Sequence, residues 1–308
     1  MITYVMGDIF ESPARVLVNT VNTVGVMGKG IAKQYKEIYP EMFKQYQYLC
    51  EKQLFSVGQL WLYKTKNKWV LSFPTKQHWR QPSKLEYIEA GLKKFVGTYS
   101  EKGITSIAFP ALGCGNGELN WEKQVQPLME VYLRSLPIDV YIYLYNNSAG
   151  AEHKKINEIK DWLRSEPQSL PFDEVWEDIK ELLSKKNDFA TIDNKDAFSA
   201  EIYRDEQEGI CIISQNNVIR VYHDQLLDLW QHIRSLGFCM VTSMPNELDE
   251  FAVYLMAILR ELPYLKPVIL APRYQELPKK PLGLQYLPPL GSNDGLFELK
   301  NIQGVNPQ

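Results

Sequence analysis

A glycine-rich segment near the N-terminus has the composition of a phosphate-binding loop. The run Asn19-Thr20-Val21-Asn22 is followed by Gly25, Gly28 and Gly30, and a helical pattern begins at the last of these glycines. Glycine lets the backbone approach a ligand closely, and the free N–H groups at a helix start bind phosphate oxygens. The spacing is neither a GxGxxG fingerprint nor a Walker lysine loop, so a tight strand-to-helix turn is an equally good interpretation.

A second glycine-rich loop, residues 110–118 with the sequence PALGCGNGE, also lies between a strand pattern and a helix pattern. Two such loops at strand ends indicate a diphosphate held from both sides, and the pair is more specific than either loop alone. A further strand end carries Gly7-Asp8-Ile9. The Asp8 carboxylate could accept a hydrogen bond from an exocyclic amine such as adenine N6, although a turn aspartate is the more ordinary interpretation.

These loops must be positioned by strands and helices, whose patterns alternate through residues 1–165. The predicted strands are Ile2–Met6, Val16–Val18, Gln59–Tyr63, Trp69–Phe73, Ile104–Leu112 and Val140–Leu144, and the predicted helices are Gly30–Tyr39, Glu41–Glu51, Lys84–Tyr99, Trp121–Leu136 and Glu152–Arg164. The alternation predicts an α/β domain with a mixed, mostly parallel sheet and helices on both faces. Ligands of such domains bind beyond the carboxyl ends of the strands.

A second domain is predicted over residues 172–308, after a break at residues 165–171 that contains two prolines and two serines. Its predicted elements are strands Phe198–Tyr203, Ile210–Ser214, Val218–Tyr222, Phe238–Thr242 and Pro267–Leu270, a hairpin turn at Asn216-Asn217, a helix Asp224–Leu236 that Gly237 ends, a helix that Ser243 and Pro245 open and that runs to about Leu262, and an irregular tail from Ala271. This pattern predicts a smaller α+β domain.

Charge divides the chain in the same way. Residues 1–170 carry about +5 and residues 171–308 about −8 of the net charge of −3. The basic part could attract a polyanion, whereas the acidic part would repel one or imitate one. The four cysteines and four histidines are scattered without a CxxC pair, so we predict no metal site, no disulfide framework and no cofactor. Without a long apolar run or a signal-peptide pattern, we expect a cytoplasmic protein and no membrane partner.

The segments Gly7-Asp8-Ile9, Val18-Asn19-Thr20-Val21-Asn22 and Ala111-Leu112-Gly113-Cys114-Gly115 resemble, in order and spacing, the landmarks of the macrodomain family. The resemblance covers roughly residues 1–150. Within the family, NTVGVMGKGIA at residues 22–32 is similar to the branch that contains the DarG antitoxins and the terminal ADP-ribose–protein glycohydrolase.

The resemblance implies an ADP-ribose site. In it, Asp8 holds the adenine amine with Ile9 beside it, and Asn22 faces the distal ribose. The diphosphate is wrapped by residues of the two glycine loops, namely Gly28, Lys29, Gly30, Ile31, Ala32, Gly113, Cys114, Gly115 and Asn116.

That branch also has a lysine at a strand end, which Lys76 matches in LSFPTKQHWR, residues 71–80. The resemblance implies that Lys76 is catalytic and that Thr75 contacts ADP-ribose. A lysine amine can attack C1″ of the distal ribose once the ring is open, which gives a Schiff-base-like adduct. Without the resemblance, a solvated surface charge is the ordinary interpretation of one lysine in a cationic loop.

One position departs from the protein-directed glycohydrolase of this branch. That enzyme pairs its lysine with an aspartate in the second glycine loop, where this chain has Gly117, and the neighbouring Glu118 is not aligned. DarG proteins also lack the aspartate, so the departure favours DNA as the substrate.

The residues after Lys76 fit a nucleic-acid substrate. An aromatic side chain next to a cation could stack on a base and contact a phosphate, so His78, Trp79 and Arg80 are candidate DNA contacts. Lys64, Lys66 and Lys68 would extend this positive surface, but a solvated hairpin tip is the more ordinary interpretation of these three.

The implied function is that of an antitoxin-type hydrolase, which removes ADP-ribose from bases of ADP-ribosylated single-stranded DNA and so reverses a DarT-like ADP-ribosyltransferase. The alternatives are a non-catalytic ADP-ribose reader and a protein-directed mono-ADP-ribosyl hydrolase. For residues 172–308, the resemblance implies a domain that binds and blocks the DarT-like toxin. The alternative is an acidic domain that needs no special partner.

Overall fold

The computed structural model describes residues 1–144, 156–205, 207–214, 217–245, 248–269 and 282–286. The chain divides into two compact units. The first comprises Met1–Leu163 and Ser169–Glu181, and the second comprises Arg164–Gln168 and Leu182–Gln308.

The first unit is built on one six-stranded sheet. Its strands are β1 (Ile2–Met6), β2 (Val16–Val21), β3 (Trp61–Lys64), β4 (Trp69–Pro74), β5 (Ser106–Pro110) and β6 (Asp139–Leu144), in the order β1-β6-β5-β2-β4-β3. Only the β3–β4 pair is antiparallel among these. The predicted mixed, mostly parallel sheet is confirmed, and β1, β2, β4, β5 and β6 all end at one edge.

Helices cover both faces of this sheet. They are α1 (Gly30–Ile38), α2 (Pro40–Glu51), α3 (Leu85–Thr98), α4 (Gln126–Leu133), α5 (Ile156–Ser165) and α6 (Phe172–Lys185), whose residues up to Glu181 belong to this unit. Alternate residues of β2 enter different cores, because Val16 and Val18 pack with α3 and α4 while Leu17 packs with α1 and α2. A strand buried on both faces is typical of a parallel sheet between two helix layers.

Two helices differ from their sequence predictions. The predicted helix over residues 121–136 opens as a π-helical turn, Trp121–Val125, before α4. Pro127 in the first turn of α4 has no N–H, which interrupts the regular ladder. Helix α6 was not predicted, because the prolines at 167 and 171 indicate a boundary there. The sequence does contain a helical signal, since Phe172, Val175, Trp176 and Ile179 follow helical spacing and are buried. Residues 152–155 of the predicted helix over 152–164 lie outside the described residues.

The second unit contains two small antiparallel sheets, as an α+β domain should. Strands β7 (Asp188–Ala190), β8 (Ala197–Arg204), β9 (Glu208–Ile213) and β10 (Val218–Tyr222) form one sheet in the order β10-β9-β8-β7. Strands β11 (Phe238–Met240), β12 (Leu265–Ile269) and β13 (Leu282–Tyr286) form the other, in the order β11-β13-β12. Helices α7 (His223–Leu236) and α8 (Ala252–Leu259) lie in the same unit, and α7 ends at Gly237 with a φ of 81°.

Several predictions for this unit need correction. The predicted helix from Ser243 begins later, as a 3-10 turn at Leu248–Phe251 that leads into α8. Strand β12 starts before Pro267 and contains this proline. An edge strand tolerates a proline because its missing N–H can face away from the neighbouring strand. Strand β13 lies in the tail that was predicted to be irregular. The predicted turn residue Asn216, residues 270–281 and residues 287–308 lie outside the described residues. In the described part of the chain, no helix is long and apolar enough to cross a bilayer.

The contact between α3 and β4 gives a stability prediction. A methyl group on Gly91 would overlap the ring of Phe73, which is fully buried. We expect Gly91→Ala to lower the free energy of unfolding by about 1–3 kcal/mol through overpacking, despite the better helix propensity of alanine. Urea unfolding measures this change.

The matched control is Gly97→Ala in the same helix, where an added methyl group meets no atom within 4 Å. This variant should be neutral or stabilised by up to about 1 kcal/mol. Equal stability of the two variants would contradict the packing argument.

Candidate functional site

A cavity of about 260 Å³ opens at the edge where the parallel strands end. Its lining comes from the segment after β1, the two glycine loops, the segment after β4, and β6. The lining residues are Gly7, Asp8, Ile9, Phe10, Thr20, Val21, Asn22, Val26, Lys29, Gly30, Ile31, Ala32, Gln34, Thr75, Lys76, Ser83, Pro110, Ala111, Gly113, Gly115, Asn116, Gly117 and Tyr143. The topology therefore gathers the segments that the sequence singled out into one concave site.

Most of the predicted ADP-ribose residues line this cavity, but Gly28 and Cys114 do not. Cys114 packs beside the core cluster, and its Sγ donates a hydrogen bond to the carbonyl oxygen of Leu112 at 3.4 Å. Burial raises the pKa of the Cys114 thiol to about 12. The structure thus places these two residues outside the lining of the cavity.

The sequence missed several other lining residues. Phe10, Gln34, Ser83 and Tyr143 reach the cavity from four separate segments. Phe10 follows Asp8 closely enough to be suspected, and its ring packs 4.7 Å from that of Tyr35. Gln34 and Tyr143 lie within a helix and a strand, and Ser83 is distant in sequence from both glycine loops, so no local sequence pattern identifies these three residues.

Asp8 is a capping residue that also lines the cavity. Its Oδ1 atom accepts a hydrogen bond from the backbone N–H of Phe10 at 2.9 Å, as a capping aspartate does. The same side chain lines the cavity. The cap therefore fixes the direction of a carboxylate at the cavity.

Asn22 builds the first glycine loop from within. Its Oδ1 atom accepts hydrogen bonds from the backbone N–H groups of Val24 and Val26 at 3.1 and 3.2 Å, and its Nδ2 atom donates to the carbonyl of Val26 at 2.7 Å. The Tyr46 hydroxyl lies 3.1 Å from the same Oδ1 atom. Because the side-chain carbonyl serves the loop, any hydrogen bond from this side chain to a ribose must come from the amide nitrogen.

The first glycine loop and the segment after β4 are joined by backbone hydrogen bonds. The N–H of Thr75 donates to the carbonyl of Val21 at 2.9 Å. The N–H and the hydroxyl of Thr23 both donate to the carbonyl of Gln77, at 3.1 and 2.8 Å. This pairing continues the parallel register of β2 and β4 beyond the sheet and holds Lys76 next to the first loop.

Lys76 is buried, with 5% of its surface exposed, and it lines the cavity. Its Nζ atom donates a hydrogen bond to the backbone carbonyl of Asn116, in the second glycine loop, at 2.8 Å. The two glycine loops also approach each other directly, because a methyl group on Gly30 would lie 2.9 Å from Nδ2 of Asn116. A solvated surface lysine is therefore the wrong interpretation of Lys76.

Gly117 has no room for a side chain in this loop. A methyl group there would overlap Oγ of Ser83 and the carbonyl oxygen of Gly113. The N–H of Ser83 also donates to the carbonyl of Gly117 at 3.0 Å. Ser83 thus fills the space beside Gly117, and the absence of a carboxylate at this position is part of the packing of the loop.

Comparisons with known proteins agree with this geometry. Residues 18–128 match the family model described as Macro domain. The solved macrodomain of Mycobacterium tuberculosis DarG is 46% identical, with 46% of this chain and 97% of that chain aligned and a TM-score of 0.45. Residues 18–128 are a macrodomain.

Two curated relatives are similar to this macrodomain. The DNA ADP-ribosyl glycohydrolase of Mycobacterium tuberculosis is 46% identical over 147 residues, which make up 46% of this chain and 42% of that protein. The DNA ADP-ribosyl transferase-DNA ADP-ribosyl glycohydrolase fusion protein of Thermosipho africanus is 41% identical over 162 residues, with the same two coverages of 46% and 42%. The matches thus span about two fifths of the length of these relatives, and the resemblance to the DarG branch is confirmed.

The macrodomain places Trp79 differently from its sequence interpretation. Only 1% of Trp79 is exposed, and its indole N–H donates to Oε1 of Glu174 at 3.3 Å. A buried indole cannot stack on a base, so that expectation is corrected. Arg80 lies against the Trp79 ring, 4.5 Å from its centroid, and pairs with Oε2 of Glu174 at 2.6 Å. His78 is half-buried and contacts Arg80, with 3.1 Å between Nε2 and a guanidinium nitrogen.

Lys64, Lys66 and Lys68, the lysines of the β3–β4 hairpin, lie near the start of β4, at the opposite end of that strand from the cavity. Strand β4 runs from Trp69 to Pro74, and Lys64 pairs with its first residue, far from the end that meets the cavity. Lys68 donates to the carbonyls of Ser12 and Ala14, both at 2.7 Å, and burial lowers its pKa, with a smaller contribution from Arg15. These lysines do not extend the surface around Lys76.

The environment of His78 predicts a pH dependence. Burial, and then the Arg80 guanidinium, lower the pKa of His78 to about 4. Between the ordinary pKa of about 6.5 and pH 4, the unfolded chain binds a proton that the folded chain does not. We therefore expect the free energy of unfolding to fall as the pH drops through this window, and part of the fall to disappear in His78→Gln.

The measurement is a proton NMR titration of the His78 imidazole, together with urea unfolding at pH 7 and pH 5. The His78→Gln variant separates the histidine from carboxylates that titrate in the same range. An imidazole that titrates near 6.5 in the folded protein would contradict the described burial.

Proposed function

We propose that the macrodomain removes ADP-ribose from DNA bases and so reverses a DarT-like ADP-ribosyltransferase. The observation that carries the proposal is the buried Lys76 amine, held 2.8 Å from the Asn116 carbonyl at the junction of two glycine loops. Both curated relatives are named as DNA ADP-ribosyl glycohydrolases. A module that only binds ADP-ribose has no need of a buried amine in its cavity.

The proposed substrate fits the shape and charge of the cavity. Asp8 would hold the adenine amine with Ile9 beside it, and Asn22 would donate to the distal ribose. The diphosphate would lie between the loops, against Lys29, Gly30, Ile31, Ala32, Gly113, Gly115 and Asn116, with Thr75 next to Lys76. Glycine backbone and the N-terminus of α1 suit a diphosphate because their N–H groups face the anion.

Lys76 would act as the nucleophile. When the C1″–O4″ bond opens and O4″ gains a proton, C1″ is doubly bonded to the base nitrogen. The Lys76 amine adds to C1″, the base nitrogen takes up the proton that the amine loses, and the C1″–N bond to the base breaks to leave a C1″=N bond to lysine. Water then adds to the C1″=N bond between sugar and lysine, which releases ADP-ribose and restores the amine. Since Gly117 excludes a side chain, no carboxylate at that position takes part, which supports DNA rather than protein as the substrate.

The first test replaces Lys76 with glutamine. We expect Lys76→Gln to bind free ADP-ribose nearly as well as the parent chain but to release it from ADP-ribosylated single-stranded DNA on the order of 10³-fold more slowly or worse. Calorimetry measures the binding, and chromatography of the released ADP-ribose measures turnover.

The control is Lys33→Gln, which removes an exposed lysine of α1 whose side chain is 47% exposed. It should leave both measurements unchanged. Retained turnover in Lys76→Gln would refute the mechanism, and binding without turnover in the parent chain would favour the ADP-ribose reader.

A second part of the proposal concerns the acidic domain. We infer that it binds a DarT-like toxin, because residues 171–308 carry about −8 and a DNA-modifying enzyme needs a basic groove. In the Thermosipho africanus relative, transferase and glycohydrolase are parts of one protein by its name. We further propose that the protein acts in the cytoplasm, where it would meet the DNA and the toxin.

The Lys76→Gln chain separates binding from hydrolysis. We expect it to suppress DNA ADP-ribosylation by a co-encoded DarT-like transferase at near-stoichiometric amounts, and to do so less well as the salt concentration rises. The assay follows ADP-ribose incorporation into single-stranded DNA. Undiminished modification, with no co-purification of the two proteins, would count against a toxin-binding domain.

A further inference from the structure

Helix α6 brings a buried carboxylate against the segment that carries Lys76. Only 1% of the Glu174 side chain is exposed. Its two oxygens accept hydrogen bonds from neighbouring residues of one segment, Oε1 from the Trp79 indole and Oε2 from the Arg80 guanidinium. Both donors lie within four residues of Lys76 along the chain.

The segment over residues 75–80 is thereby held from two sides. On one side, Thr75 and Gln77 hydrogen-bond to Val21 and Thr23 of the first glycine loop. On the other, Trp79 and Arg80 bond to Glu174. Thr75 and Gln77 flank Lys76, and the contacts of Trp79 and Arg80 fix the chain that follows, so the position of the amine depends on both sets of anchors.

The buried ion pair between Glu174 and Arg80 is better explained by the orientation that it imposes than by a gain in stability. A buried ion pair rarely adds stability over well-packed apolar residues, but losing one partner leaves an uncompensated charge. The Glu174 carboxylate does fix orientation, because it accepts hydrogen bonds from the Trp79 indole and the Arg80 guanidinium and so holds both side chains at once. Nearby, His78 contacts the other end of the same guanidinium.

Glu174 also lies outside the part of the chain that defines the family. The family model ends at residue 128. Yet residues 169–181 form one compact unit with the macrodomain. The hydrolase unit of this protein therefore includes the first turns of α6.

We propose that Glu174 is a positioning residue for Lys76. It acts through Trp79 and Arg80, by holding the segment after β4 so that the Lys76 amine stays at the junction of the glycine loops. This inference rests on the proposed hydrolysis. It predicts an effect on turnover that is separate from ligand binding, because Glu174, Trp79 and Arg80 are not among the residues that line the cavity.

The test is Glu174→Gln in the full chain, which keeps an acceptor for the Trp79 indole and removes the charge that pairs with Arg80. We expect kcat on ADP-ribosylated single-stranded DNA to fall roughly tenfold to a hundredfold, as for a small misplacement of a reacting group. KM and the Kd for free ADP-ribose should change less than about twofold. Hydrogen–deuterium exchange should speed up over residues 75–80.

Two further variants sharpen the result. Arg80→Lys keeps the charge but loses the planar fork that reaches both Glu174 and His78, so it should show the same selective loss of kcat to a smaller degree. Lys180→Gln breaks a partly exposed ion pair of α6, between Lys180 and Glu177 at 2.7 Å, and should change neither kcat nor exchange. If Glu174→Gln does not fold, the comparison of Arg80→Lys with Lys180→Gln decides.

Unchanged kcat and unchanged exchange over residues 75–80 in both Glu174→Gln and Arg80→Lys would overturn the proposal. A lower melting temperature with normal kcat would do the same, because it would show a structural contact only. If the parent chain does not hydrolyse the DNA, the proposed function fails instead, and the exchange data still report whether Glu174 holds the segment.

Discussion

The hydrogen bond between the Lys76 amine and the Asn116 carbonyl is the contact on which the site depends. An amine in a largely buried position needs a partner, since taking it out of water without one is costly. The 2.8 Å contact supplies one from the backbone of the second glycine loop. The loop must therefore keep a fixed conformation for the lysine to be tolerated, and the lysine in turn connects the end of β4 to the end of β5.

The fold meets this requirement through the parallel register of its central strands. Because β2, β4 and β5 are parallel, the segments that follow them leave the sheet at the same edge. Hydrogen bonds beyond the sheet, from Thr75 to Val21 and from Thr23 to Gln77, keep two of these segments together. Asn22 then folds the first glycine loop around its own side chain. A rigid frame of this kind is what the proposed nucleophile would need, since turnover is sensitive to small displacements of a reacting group.

The sequence was most informative where a feature is local. Strand ends followed by glycines predicted the edge of the sheet and most of the cavity lining, because backbone approach and helix starts depend on nearby residues. It was least informative for Trp79 and Arg80, whose aromatic and cationic character suggested DNA contact. Their partner, Glu174, is almost a hundred residues away. No pattern within residues 71–80 could show that a distant helix buries the indole. The role of Lys68 is equally invisible in the sequence, because it depends on the distant backbone carbonyls of Ser12 and Ala14.

The packing around Gly117 limits the chemistry that the cavity can support. Since Ser83 and the Gly113 carbonyl occupy the space that a side chain would need, a carboxylate cannot be introduced there without moving the second glycine loop. Moving that loop would displace the Asn116 carbonyl and with it the Lys76 amine. The lysine and the glycine are thus parts of one arrangement, and the proposed reaction would use Lys76 as its nucleophile without an acid or base at residue 117. This favours a leaving group that departs readily once its nitrogen is protonated, as a nucleobase does.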